Sequence, residues 1–313
     1  MSDVKCLIVS STIDYSTDLI CCELERRGFP YLRINRDLFG QYEIVFDLEH
    51  QSMNLRIDGK EYTVRNKTLM SVYFRAPVFF RYSKELSLND QLRRSQWSSF
   101  IRNLIVFGDA KWVNYPVATY KAENKMFQLQ SAQRAGLKIP HTFFGNCLPS
   151  IIEDDKDYIV KALDTPVFYD GEQEMFTYST AMKGRQLRSS ELQEAPVIIQ
   201  ECLNPKIDLR VTVVGDRIFP AEIRYEGAGI EGDWRRKDKD GLTYSPVQLP
   251  VNIEDEIRYL MHDLGLLFGG VDLVLCNDDY YFIEVNPTGE WGWLVGTAGF
   301  QIQKAIADIL EGI

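Results

Sequence analysis

Phe282-Ile283-Glu284-Val285-Asn286-Pro287, read together with Phe268-Gly269-Gly270-Val271-Asp272-Leu273-Val274-Leu275 upstream, decides the fold. Each stretch reads as a short apolar strand bearing hard oxygen ligands, and Asn277-Asp278-Asp279 between them reads as a hairpin turn. Pairing the two strands brings Asp272, Glu284 and Asn286 together. Two carboxylates and one amide suit magnesium, which takes a few protein oxygens and leaves its other positions to water and nucleotide phosphates. The alternative for the same residues is a buried hairpin whose acids cap backbone groups or pair with arginines. Burying that many oxygens on apolar strands without a cation is costly, which favours the metal.

At 313 residues the chain has room for two cores, and 45% hydrophobic with 26% charged residues describes an ordinary globular protein. No run of about 18 apolar residues and no signal-peptide pattern at Met1-Ser2-Asp3-Val4-Lys5 leads to the expectation of a cytoplasmic protein without a membrane segment. A net charge of -10 argues against a nucleic-acid partner. The six cysteines form no CxxC pair and read as small core hydrophobes.

Working back from the hairpin, Val4 to Val9 is a buried-strand pattern, Thr17 to Arg27 is helical, Gly28 stops it and Tyr31 to Ile34 is a second strand. This β-α-β start carries no GxGxxG, so no dinucleotide site is expected there. Short strands between Glu43 and Val64 turn at Asp58-Gly59, Ser71 to Arg75 is another strand, and Leu86 to Phe107 is a long helix. Asn114-Tyr115-Pro116 marks a boundary, because the residue before proline is pushed out of helical space. The expectation is an α/β (α+β) protein: a small α/β domain over 1–115, then a domain over 116–313 with mostly antiparallel sheets. In the second domain, Val117 to Ala135 reads as one helix. Strands follow at Ile139 to Phe144, Asp157 to Leu163, Pro196 to Cys202, Asp208 to Val214 and Arg217 to Arg224, with helices at Ile253 to Leu264 and Gly299 to Leu310.

Several polar residues sit where a nucleotide site needs them. Lys161 follows three apolar strand residues, a position tolerated when the ammonium reaches an anion, and Lys125 is a second candidate. Val197-Ile198-Ile199-Gln200-Glu201-Cys202-Leu203 runs from apolar into polar, so its free backbone groups could read an adenine edge and a nearby carboxylate such as Asp208 could hold ribose. Strand alternation puts Asp208 and Arg210 on one face. Arg210, Arg224 and Arg235 supply fixed positive charge of the kind that stabilises phosphoryl and acyl transfer. His50, His141 and His262 are scattered and suggest no nucleophilic triad.

The order Lys125, Lys161, Gln200-Glu201, Asp208-Leu209-Arg210, Asp272 and Glu284-Val285-Asn286-Pro287 resembles the ATP-grasp superfamily, and within it the graspetide ligases of the microviridin type. Val72-Tyr73-Phe74-Arg75-Ala76-Pro77, Asn114-Tyr115-Pro116, Gln128-Leu129 and Thr288-Gly289-Glu290-Trp291 extend the likeness to nearly the whole chain. The resemblance implies that Lys125 and Lys161 contact ATP phosphates. It further implies that Glu201, beside Gln200 and with the backbone of Cys202 and Leu203, reads adenine, and that Asp208 holds ribose. Asp272, Glu284 and Asn286 would bind Mg2+, while Arg210, Arg224 and Arg235 would face the phosphates and an acyl phosphate. The implied reaction activates Asp or Glu side chains of a ribosomal precursor peptide, leader plus core, and closes ester or amide rings with Ser, Thr or Lys. A homodimer is implied by the same likeness. Glu226, Glu231 and Asp233 are candidates for a general base. One departure is that Asp164 to Gly184 contains only Gly171 and Gly184, with an aromatic hairpin around Val167-Phe168-Tyr169 and Met175-Phe176-Thr177-Tyr178 where a glycine-rich phosphate lid is common. Two other readings stand beside this one: a ligase that adds a free amino acid to a carboxylate or a protein terminus, and a non-catalytic ATP-binding regulatory module.

Overall fold

The computed structural model describes residues 2–75, 86–164, 167–170, 173–190 and 192–313, with the backbone alone for 2–3, 167–170 and 173–176. Ala76, Pro77 and Gly171 of the sequence motifs, and the side chains of Val167, Phe168, Tyr169, Met175 and Phe176, lie outside that description.

The hairpin that decided the sequence reading is the edge of a five-stranded antiparallel sheet. Its order is Leu242–Pro246, Arg217–Tyr225, Ile207–Val214, Phe268–Cys276 and Asp279–Asn286. Asn277 and Asp278 both take positive φ (51° and 66°), the two-residue turn whose twist matches the flanking strands. Strand alternation then sorts the side chains. Leu209, Val211, Val213, Val271, Leu273, Phe282 and Val285 form one buried face against Ile257, Leu260 and Leu264 of the helix Val251–Leu264 and Leu129 and Ala132 of the helix Lys125–Ala135. Arg210, Asp272 and Glu284 share the opposite face, since Arg210 pairs with Asp272 and Asp272 with Glu284.

A second antiparallel sheet, in the order Thr180–Lys183, Asp157–Lys161, Val197–Glu201 and Thr142–Gly145, stands across from that polar face. Tyr158, Ile199, Ile152 and Leu187 make its small core. Ile159 and Gln200 pair directly, as do Lys161 and Ile198, so Ile159, Lys161 and Gln200 project together from the other side. The backbone of Val167–Asp170 pairs with Gln173–Phe176 as the hairpin expected there.

In the N-terminal part, Tyr31–Asn35, Cys6–Ser10, Ser71–Phe74 and Lys111–Val113 form a parallel sheet in that order. The helix Tyr15–Arg27 joins the first pair, capped by Asp14 on Thr17 N and ended by Gly28 at φ 68°. A separate sheet of Glu43–Asp47, Ser52–Ile57 and Lys60–Arg65 turns at Asp58 and Gly59, and Ser2–Asp3 adds to it in parallel. Ile8, Ile20, Leu24 and Tyr73 pack with Phe268, Trp291, Ile302, Ile306 and Leu310, so one continuous core joins this part to the large sheet and the terminal helix Ile302–Glu311.

Two expectations are corrected. The helix expected over Val117–Ala135 is two, Pro116–Ala122 and Lys125–Ala135, parted where Asn124 leaves helical space at ψ 103° and its amide donates back to Tyr120 O and Lys121 O. The long helix at Leu86–Phe107 runs Leu88–Asn103 from its Ser87 cap and tightens into a 3-10 turn at Leu104–Val106. The strands Lys111–Val113, Thr180–Lys183 and Leu242–Pro246 went unread because they are short and carry lysines, threonines or a proline at sheet edges.

Candidate active site

Asp272 and Glu284 face each other as register partners, and the register slips between Asp272 and Leu273, where Glu284 pairs with Asp272 but Phe282 pairs with Leu273. That bulge leaves Ile283 unpaired. It lets Ile283 and Glu284 both border the cleft while Phe282 turns into the core. Asn286 completes the group: its Nδ2 lies 3.3 Å from Asp272 Oδ2 and 3.2 Å from Glu284 Oε1. Among the described residues no three His, Cys, Asp or Glu side chains gather as a metal cluster, and the third oxygen beside these two carboxylates is that of the Asn286 amide. Asn286 could supply it with its amide turned over, an O/N assignment set by hydrogen bonding alone. Three oxygen donors and no nitrogen or sulfur fit Mg2+ rather than zinc or copper.

Cations surround the pair. Lys125, at the first position of its helix, reaches Glu284 Oε2 at 2.6 Å, and Arg235 Nη2 lies 3.6 Å from Glu284 Oε1. Burial works against ionising Glu284, but Lys125 and Arg235 outweigh it and hold the carboxyl well below the usual range. Asp272 goes the other way, raised by burial and by the Glu284 charge against the pull of Arg210, whose Nη1 is 2.9 Å from Asp272 Oδ1. Arg210 can lie flat there because Gly270 and Gly289 have no side chains: a Cβ on either would sit 2.3 or 2.4 Å from Arg210 Nη2. Lys161 faces the same space from the other sheet and donates to Gln200 Oε1 at 2.7 Å, and Gln200 in turn donates to Thr142 Oγ1 at 2.9 Å. Burial pushes the Lys161 ammonium down to about 8 against the attraction of Glu284, and repulsion from Lys125 and Arg235 acts in the same direction as burial. An ammonium held this way gains most when a polyanion arrives.

The cleft continues between the sheets along Ile159, Gln200, Cys202, Leu203, Asp208 and Trp234. Asp208 is raised by burial despite its ion pair with Lys206. Glu201 borders the cleft, but alternation sends its carboxylate to the opposite face, onto Lys156 at 2.9 Å, which holds it low. Its backbone, with that of Cys202 and Leu203, is what remains for an adenine edge.

Arg224 does not join this group. It stands three residues from Ala221, the register partner of Arg210, and therefore on the other face, where it pairs with Glu222 at 2.8 Å. Of the three base candidates only Asp233 lines the cleft, accepting from Arg235 N and Nε; Glu231 lines a neighbouring depression beside Asn204 and Pro205. Residues that sequence reasoning gave no role do the supporting work. Gln128 accepts from Val285 N and donates to Val285 O, fixing the strand between Glu284 and Asn286. Asn114 accepts from Leu267 N and Phe268 N and donates to Phe268 O and Pro287 O. Both lay inside quoted motifs, and a buried amide's need for partners was the available signal. Trp234, Tyr244 and Trp293 form an aromatic cluster at the rim, with centroids 4.5 to 6.4 Å apart.

A two-sheet cleft with a carboxylate pair, two lysines, the buried Arg210 and the more exposed Arg235 can bind a nucleotide polyphosphate and stabilise charge on a transferring phosphoryl group. Comparison with known proteins agrees. Residues 152–310 match the model of the RimK-like ATP-grasp domain. A probable alpha-L-glutamate ligase of Syntrophotalea carbinolica is 24% identical over 207 residues, 64% of this chain, and the match spans 66% of that relative's length. Among solved structures, macrocyclase MdnC of Microcystis aeruginosa MRC, bound with precursor peptide MdnA, is similar at 26% identity and TM-score 0.82, covering 98% of this chain and 99% of that one. A Chryseobacterium gregarium RiPP-associated ATP-grasp ligase in complex with ADP and a leader and core peptide is similar at 25% identity and TM-score 0.84, covering 100% and 97%. No helix among the described residues is long and apolar enough to cross a membrane. Strand order, the Asp272–Glu284–Asn286 group and these likenesses lead to one conclusion: the chain belongs to the RimK-like ATP-grasp ligase family.

Proposed function

We propose that this ligase closes rings in a ribosomally made peptide. The observation that carries the reading is that the likeness to two peptide-bound ligases runs over the whole chain, N-terminal part included, and not over the ATP-grasp half alone. In this reading the chain divides near residue 115, with the nucleotide held by the later part. Gln200, the backbone of Glu201 to Leu203, and Asp208 orient adenosine. Lys125 and Lys161 hold phosphates, and Asp272, Glu284 and Asn286 hold Mg2+, which would neutralise phosphate charge in line with transfer. A peptide Asp or Glu carboxylate takes the γ-phosphoryl group, and Arg210 and Arg235 stabilise the charge that develops. A Ser or Thr hydroxyl, or a Lys amine, then displaces phosphate and loses its proton, with Asp233 the acid nearest to receive it. No protein nucleophile is needed.

The glutamate-ligase relative favours a second reading, addition of a free amino acid to a carboxylate. Mass spectrometry separates the two. A candidate precursor peptide treated with the protein, ATP and Mg2+ should lose one water per ring; a gain of one amino-acid residue would favour the second reading, and an unchanged mass without ADP release would contradict both.

A further inference from the structure

The parallel sheet of the N-terminal part has a switch point. From Cys6–Ser10 the chain goes first to Tyr31–Asn35 on one side and later to Ser71–Phe74 on the other. In open α/β sheets the crevice at the carboxyl ends of such strands is the usual ligand position. Here Ser10 ends one strand and Arg75 follows the other, its N–H continuing the ladder to Val9 O at 2.8 Å. The crevice holds the chain's own segment just beyond Asn286. Arg75 donates to Thr288 O at 2.7 Å, Gly289 O at 3.0 Å and Glu290 Oε1 at 2.6 Å, and its Nε reaches Asp14 at 3.3 Å. Ser16 donates to Glu290 Oε2 at 2.7 Å and accepts from Gly292 N.

From the opposite side, Arg210 Nη2 donates to Glu290 O at 3.2 Å while its Nη1 holds Asp272. The Thr288–Glu290 segment is thus gripped by one arginine from each part of the molecule, and the inner arginine also sets a metal-ligand carboxylate. We propose that Arg75 is a positioning residue for the Mg2+ site, acting through the 288–290 segment on Arg210 and on Asn286. Its side chain is only 3% exposed and its hydrogen bonds go to Asp14, Thr288, Gly289 and Glu290 rather than to Asp272, Glu284 or Asn286, so it works at a distance. The planar fork suits this task, because a lysine in its place lacks the geometry to serve two carbonyls and two carboxylates together.

The inference rests on the nucleotide-and-metal reading of the site, and the test separates the two. ADP binding to the full chain is measured by calorimetry across a Mg2+ titration and in EDTA, for wild type, Arg75→Lys and Glu290→Gln, with Tm recorded for each. Glu290 has a 63% exposed side chain, so its substitution leaves the core untouched and serves if Arg75→Lys fails to fold. Loss of supporting contacts to metal ligands typically weakens metal affinity by about 10–100-fold, and a shift of that order in the Mg2+ midpoint is expected with ADP affinity in EDTA unchanged. Folded variants with the wild-type midpoint would overturn the proposal. Wild type that binds ADP without any Mg2+ dependence would overturn the underlying reading, and the proposal with it.

Discussion

Arg210 and Asp272 are register partners on neighbouring strands, and their ion pair of 2.9 Å is largely buried, with side chains 9% and 14% exposed. In the absence of a divalent ion this arginine is the counter-charge that makes Asp272 tolerable in the sheet. Removing one partner of a buried pair costs about 3–5 kcal/mol. Arg210→Ala should therefore lower the Tm of the ligand-free protein, and Mg2+ with ADP should restore part of the loss because the metal takes over the neutralising charge. Turnover should fall by roughly 100-fold or more, with ADP still bound. A variant with wild-type turnover would remove Arg210 from the mechanism.

Gly270→Ala tests the same contact without deleting a charge. The added Cβ would lie 2.3 Å from Arg210 Nη2, so the guanidinium has to leave Asp272. Overpacking of this kind costs about 1–3 kcal/mol. The expected result is a folded protein of lower Tm with reduced phosphoryl transfer, read as ADP release; undiminished ADP release would show that Arg210 need not lie where it does.

Glu284 is held ionised by Lys125 and Arg235. Glu284→Gln keeps its shape but leaves both cations without that carboxylate, and the metal without one ligand. Nucleotide should still be attracted by the freed cations, while the Mg2+ requirement for binding disappears and turnover drops to background. Calorimetry with and without Mg2+ distinguishes this from a simple loss of affinity.

Lys161 carries a pH signature. Its ammonium is pushed down to about 8 in the folded protein, below the ordinary lysine value of about 10.4. The unfolded chain therefore holds the proton more tightly, so this group's contribution to ligand-free stability is full above the ordinary value and is lost as pH falls through 8. A bound phosphate reverses the preference. At pH 8.5, ADP binding should take up protons, seen as a buffer-dependent calorimetric heat, and Lys161→Met should abolish the uptake; equal proton uptake in the variant would assign it elsewhere.

The candidate site was legible in the sequence where chemistry departs from pattern. Asp272, Glu284 and Asn286 stand out because oxygen-bearing side chains interrupt apolar strands, and Lys161 because an ammonium ends one. Arg224 misled because charge at a strand end says nothing about which face it takes; only the pairing with Arg210's neighbours, through Ala221, fixes that. Glu201 shows the same limit, since one step of alternation separates the cleft from Lys156. The bulge at Ile283 could not be read at all, because it depends on how two strands align and not on either alone. Arg75 reads as the end of a strand, and the contacts that give it its place, to Thr288, Gly289 and Glu290, join stretches more than 200 residues apart that no local pattern connects.

The central claim is that a divalent ion sits among Asp272, Glu284 and Asn286 with nucleotide phosphates beyond it. Anomalous diffraction from crystals grown with ADP and Mn2+, in place of Mg2+, tests this most directly. The account predicts a manganese peak bounded by oxygens of those three side chains, with Lys125 and Lys161 turned to the phosphates. A peak elsewhere, or ADP bound outside the cleft between the two sheets, would contradict it.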